Sequence, residues 1–66
     1  MANKELYKTG QKAPAYARYA WDHYIDETYF PFPTIDELTI ILKRGETFPP
    51  IKSRDKEAWW RISSYL

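Results

Sequence analysis

The chain of 66 residues contains no cysteine, so disulfides, thiolate metal sites and thiol catalysis are excluded from the outset. Glycine is scarce as well. With only Gly10 and Gly45 there is no glycine-rich loop of the kind that cradles phosphates. Long apolar runs are missing too: none is longer than Ile40-Ile41-Leu42, far short of a membrane span. The opening Met1-Ala2-Asn3-Lys4-Glu5 lacks the apolar stretch of a signal peptide. These absences lead to the expectation of a soluble, cytoplasmic protein with no membrane partner. Neither charge sign dominates, since ten Lys and Arg meet nine Asp and Glu and leave a net charge of +1. That balance selects no class of partner. Acidic residues gather in the middle (Asp22, Asp26, Glu27, Asp36, Glu37) and basic ones in the last third (Lys43, Arg44, Lys52, Arg54, Lys56, Arg61). Ordinary solvated faces account for this better than a dipolar surface does.

What the chain has in excess is aromatic surface: three Trp, six Tyr and three Phe. So few residues make one domain, 1–66, and such a domain normally leans on a disulfide, a metal or a partner subunit. Large rings compensate, because each buries about 150–250 Å². The rings are therefore read first as core and only second as a recognition surface.

Residues 1–14 carry no large apolar side chain except Leu6 and Tyr7, and Gly10 and Pro14 add turn chemistry. A partly flexible tail is expected, pinned by Tyr7. From Tyr16 to Ile25 the pattern alternates, with Tyr19, Trp21, His23 and Ile25 on one face and Arg18, Ala20, Asp22 and Tyr24 on the other. Period two with aromatic enrichment predicts a strand. Pro31 and Pro33, flanked by Phe30 and Phe32, predict a loop. Thr34 to Arg44 supports two readings. Thr34 and Glu37 form a capping-box pattern ahead of Ile35, Leu38, Ile41 and Leu42, which favours a helix. The alternation of Leu38, Ile40 and Leu42 with β-branched neighbours favours a strand. Gly45 opens a turn into Pro49-Pro50, and Ala58 to Ser64 alternates as a closing strand.

Two of these pieces carry a resemblance. Tyr7-Lys8-Thr9-Gly10-Gln11-Lys12-Ala13-Pro14 leads into Ala17-Arg18-Tyr19, and Lys43-Arg44-Gly45-Glu46-Thr47-Phe48-Pro49-Pro50 leads towards Ala58-Trp59-Trp60. Together they resemble small bacterial proteins of the YjzC-like and zinc-ribbon-like type, over most of the chain from Tyr7 to Trp60. The resemblance implies a mainly β fold, a three-stranded antiparallel sheet with long proline-containing loops. Its strands would run from Tyr16 to Ile25, Glu37 to Lys43 and Ala58 to Ser64. Zinc-ribbon relatives place cysteine pairs where this chain has Trp21 to Tyr24 and Ile51 with Ser53 or Arg54. Here the departure is complete, and a lone His23 does not replace four ligands. The resemblance thus implies a metal-free ribbon without a cofactor, in which packed rings take over the metal's stapling role. The expected core is Tyr19, Trp21, Leu38, Ile40, Leu42, Phe48 and one of Trp59 and Trp60.

The resemblance implies no activity, and the residues supply no catalytic set. His23 is read as a packed or rim histidine, and no pair of carboxylates sits in a recognisable motif. The expectation is a non-enzymatic binding module. Alternation sends Trp59 and Trp60 to opposite sides of their strand, and a sheet this small has one core face. The outward ring, with Arg61, Lys52 and Arg54 around it, is the candidate binding surface. Its occupant is expected to be a protein partner or a second copy. Single-stranded nucleic acid is the alternative, since basic residues beside exposed rings suit it. The near-neutral charge offers that alternative little counterion release.

Overall fold

The computed structural model describes residues 5–66. In chain order it contains β1 (Tyr7–Lys8), β2 (Ala17–Tyr24), α1 (Ile35–Leu38), β3 (Thr39–Leu42) and β4 (Ala58–Tyr65). The strands form one antiparallel sheet in the order β1-β4-β2-β3. The fold is mainly β, as expected, but the sheet has four strands rather than three. The extra strand comes from the segment expected as a tail: Tyr7 pairs with Trp60 and Lys8 with Trp59. Of that segment, residues 1–4 lie outside the described residues.

The middle segment resolves its two readings by using both. Glu37 accepts hydrogen bonds from the Thr34 N–H and hydroxyl at 3.3 and 3.0 Å, so the capping pattern does start a helical turn. One isolated turn is a poor helix. From Thr39 onward the β-branched run gains more by pairing with β2, where Thr39 to Leu42 lie opposite Ala20 to Ala17 without a break. Leu38 therefore ends on the exposed turn instead of in the expected core, 37% exposed, while Ile40 and Leu42 pack partly buried against it.

Two register shifts shape the β2–β4 pairing. The important one lies between Trp21, opposite Trp60, and His23, opposite Trp59. Asp22 is an extra residue there, and an extra residue reverses the face on which later side chains fall. The alternation predicted for β2 holds through Tyr19 and Trp21 and then inverts. Tyr24, expected outward, is fully buried, and His23, expected beside Trp21, faces away.

The core consists of Tyr19, Trp21, Tyr24, Phe48, Ile51 and Trp60 over the small residues Ala13, Ala17 and Ala58. Phe48 stands at its centre. It stacks on Tyr7 at 5.4 Å, meets Tyr19 edge-on at 4.8 Å and lies 6.5 Å from Trp60. Three of the buried polar tips are served by backbone carbonyls: Tyr19 donates to Ala15, Trp60 to Pro49 and Tyr24 to Pro31, whereas the Trp21 indole N–H has no hydrogen-bond partner among the described residues. The core face is covered by two straps, residues 9–14 and 45–51. They are joined by Gly10 N–H to Phe48 O, Phe48 N–H to Gln11 O, Ala13 N–H to Glu46 O and Gly45 N–H to Ala13 O. Gly10 and Gly45 turn these straps at φ of 97° and 90°, which other residues rarely adopt.

The two adjacent tryptophans should differ sharply on truncation. Trp60→Ala removes a ring that is 1% exposed, at a cost of about 3–5 kcal/mol, comparable to the whole stability of so small a domain. Circular dichroism should show it unfolded at 25 °C. Trp59→Ala, on the other face, should keep a cooperative melt.

Candidate functional site

β4 alternates, so burying Trp60 turns Trp59 to the opposite face, where it is half-buried. Its cross-strand neighbours are Lys8 of β1 and His23 of β2. Lys8 Nζ sits 6.0 Å from the Trp59 ring centroid, and the His23 ring lies 6.4 Å away at an interplanar angle of 29°. Tyr29 continues the row at 5.7 Å from His23. The result is a line of rings, Trp59, His23 and Tyr29, with an ammonium at one end.

The bulge builds the polar flank of this row. It presents Asp22 and His23 consecutively to one side, and His23 Nδ1 lies 2.6 Å from Asp22 Oδ1. Arg61 bridges the bulge from β4: its Nη1 donates to the Trp21 carbonyl at 2.9 Å and reaches Asp22 Oδ2 at 3.4 Å. Asp22 is thus held from both sides, and Arg61 is a brace as much as a surface charge. Asp22, His23, Tyr29 and Lys8 were not singled out as site residues by the sequence. Nothing in the alternation reveals a bulge, and Lys8 lies in a segment that reads as tail.

Of the residues expected at the site, the structure joins Trp59 and Arg61. Trp60 is interior. Lys52 and Arg54 lie on the turn bounded by the Ile51–Lys56 bridge, and no hydrogen bond, ion pair or cation–π contact connects either to Trp59 among the described residues. Arg54 Nε instead donates to the Phe32 carbonyl at 2.9 Å. Its neighbour Ser53 donates both its N–H and its hydroxyl to Glu37. Lys56 pairs with Asp26 at 3.2 Å and lies 4.6 Å from the Tyr24 ring. These contacts fasten the 51–56 turn to α1 and to the loop that precedes it.

Among the described residues, no three His, Asp or Glu side chains are grouped to hold a metal ion, and no helix is long and apolar enough to cross a membrane. A shallow cleft of about 250 Å³ between Tyr24, Ile25, Asp26, Lys56 and Glu57 brings together one ion pair and no nucleophile.

The two straps over the core come largely from the segments that carried the resemblance, which also reach Lys8 and Trp59, and they lie side by side, bonded to each other. A family model described as YjzC-like protein matches residues 1–62. The chain belongs to the YjzC-like family. No curated protein and no solved structure matches it. In this YjzC-like chain the straps build scaffold: they supply Phe48, the Gly10 and Gly45 turns and the strap hydrogen bonds. The Trp59 row stands on the other side of the sheet.

The turn fastened by Glu37 gives a pH test. Hydrogen bonds from Ser53 chiefly, with those from Thr34, hold the Glu37 carboxyl down from its ordinary 4.5 to about 2. A depressed carboxyl stabilises the fold above its unfolded value and loses that contribution as the pH falls through its folded value. Asp26 is shifted in the same direction by Thr28 and Lys56. Stability should fall between about pH 4.5 and 2. In Glu37→Gln that fall should be shallower, read from urea midpoints at each pH.

Proposed function

We propose that this YjzC-like chain is a non-enzymatic binding module whose contact surface is the Trp59 face, with a protein as its partner. The observation that supports the reading is the partly exposed Trp59, held in a fixed row between Lys8 and His23 with Arg61 beside it. Trp, Tyr and Arg dominate recognition hot spots, and a ring already ordered by its neighbours loses little freedom on binding. A protein is favoured over nucleic acid because the charge is nearly balanced and three of the basic groups in the last third are engaged within the chain. Arg61 is used by Asp22, Lys56 by Asp26 and Arg54 by the Phe32 carbonyl. A net charge of +1 offers little counterion release from a phosphate backbone. The line of Trp59, His23 and Tyr29 supports the second reading, because successive bases stack on such rows. Titration with single-stranded oligonucleotides at ~50 and ~200 mM salt separates the two. The expected result is weak binding at both. Tight binding that collapses at the higher salt and is lost in Trp59→Ala would assign the face to nucleic acid. A protein partner captured by wild type should survive nuclease treatment and be lost in Trp59→Ala.

The finer fold reading is a zinc ribbon without its metal, in a cytoplasmic setting that suits a cysteine-free chain. What supports it is the pair of turns near the positions where ligand pairs would fall. One closes through Glu27 N–H to Tyr24 O and the other through Arg54 N–H to Ile51 O. Both contribute a fully buried side chain, Tyr24 and Ile51, to the core. Lys56 ties them together through Asp26, Thr28 and the Tyr24 ring. Purified protein should carry no stoichiometric zinc by elemental analysis, and chelator should leave its melting temperature unchanged. A chelator-sensitive melt would reject the metal-free reading.

A further inference from the structure

We propose that β3 is a self-association edge, on which a second copy of the chain adds antiparallel to form an eight-stranded sheet across a two-fold axis. The proposal is independent of the Trp59 reading, because β3 and β4 lie on opposite sides of β2.

The strand order leaves one side of β3 unpaired along Thr39 to Leu42. Natural edges are usually blocked by a charge, a proline, a bulge or extreme shortness. The other edge, β1, is only two residues long and ends in Lys8. β3 has the sequence Thr-Ile-Ile-Leu, with no charge and no proline, and its register with β2 is unbroken. Its apolar side chains are incompletely covered: Ile41 is 52% exposed, and Ile40 and Leu42 are only partly buried. A further strand would cover both faces at once.

The flanking charges select the occupant and its direction. Asp36 and Glu37 precede the strand, and Lys43 and Arg44 follow it. Antiparallel pairing about Ile40 brings the acidic turn of α1, with Asp36 outermost, towards Lys43 and Arg44 of the other copy, so the flanking meetings are between opposite signs. Parallel addition would set like against like. Two-fold symmetry makes the contact twice. Asp36, Lys43 and Arg44 form no side-chain hydrogen bond or ion pair among the described residues, so their charges are available for it. The strand is short, and the interface falls in the small, weak class.

Sedimentation equilibrium over ~0.02–1 mM protein at low salt tests this, a range that brackets weak association. Wild type should show a concentration-dependent dimer, with slowed amide exchange at Thr39 to Leu42 as concentration rises. Ile41→Lys should be monomeric with an unchanged circular dichroism spectrum. Arg44→Glu and Asp36→Arg should each dimerise about tenfold more weakly, and an equimolar mixture of the two should recover most of the loss. This charge exchange keeps the test decisive even if Ile41→Lys fails to fold. A wild type that stays monomeric to ~1 mM would overturn the proposal. So would an Ile41→Lys dimer as tight as wild type, or a mixture no better than its components. Dimerisation lost in Trp59→Ala but kept in Ile41→Lys would move the association to the Trp59 face.

Discussion

Between Trp21 and His23 the pairing of β2 with β4 takes in one extra residue, Asp22, and both faces of the sheet depend on it. Without that residue Tyr24 would point away from the core, and His23 would point into it. With it, Tyr24 joins Trp21 and Trp60 beneath the straps, the Trp21 and Tyr24 rings lying 5.0 Å apart. His23 and Asp22 are delivered together to the Trp59 side. Bulged backbone is weakly paired, and here the deficit is met by Arg61, whose guanidinium takes the Trp21 carbonyl and the Asp22 carboxylate in one grip. The polar flank of the candidate site and the brace of the bulge are the same atoms.

A single four-stranded sheet has two faces and, in a chain of this length, enough side chains to bury only one of them. The second layer is therefore made of backbone and rings instead of another sheet. Residues 9–14 and 45–51 run antiparallel over the core face, and Phe48 descends from them among Tyr7, Tyr19 and Trp60. Thr9 fastens the same strap to β4, donating its hydroxyl to Pro49 O and accepting the Ala58 N–H. Glycines at positive φ and prolines that restrict their neighbours keep a strap in place when no regular element can.

Much of this architecture was legible in the sequence. Period-two alternation located β2 and β4, and the expected core members Tyr19, Trp21, Phe48 and one of the paired tryptophans are buried. Legibility failed where a non-local partner decided the outcome. Tyr7–Lys8 is too short to announce itself as a strand and becomes one only because β4 offers an edge. Thr34 to Leu42 satisfied a helix rule at its start and a strand rule at its end, and each rule held over four residues. The failure at Leu38 follows from the handover between the two. Grouping Lys52 and Arg54 with Trp59 rested on nearness in sequence, whereas the 51–56 turn carries them to the Glu37 and Phe32 side. A bulge leaves no mark in composition, so the true neighbours of Trp59 could not be read from alternation alone.

The Trp59 row and the β3 edge stand apart in the fold. The partly buried Trp59 is on β4 and the bare edge is β3, on opposite sides of β2. Two sites so placed do not compete for the same atoms. A pair joined along β3 would carry two Trp59 faces fixed in one continuous sheet, on the same side of it, because a two-fold axis normal to a sheet preserves its faces. A partner with two matching sites would then gain from effective concentration without any new contact. For a domain too small to offer a large interface, repeating a small one at fixed spacing is the physically accessible route to tight binding.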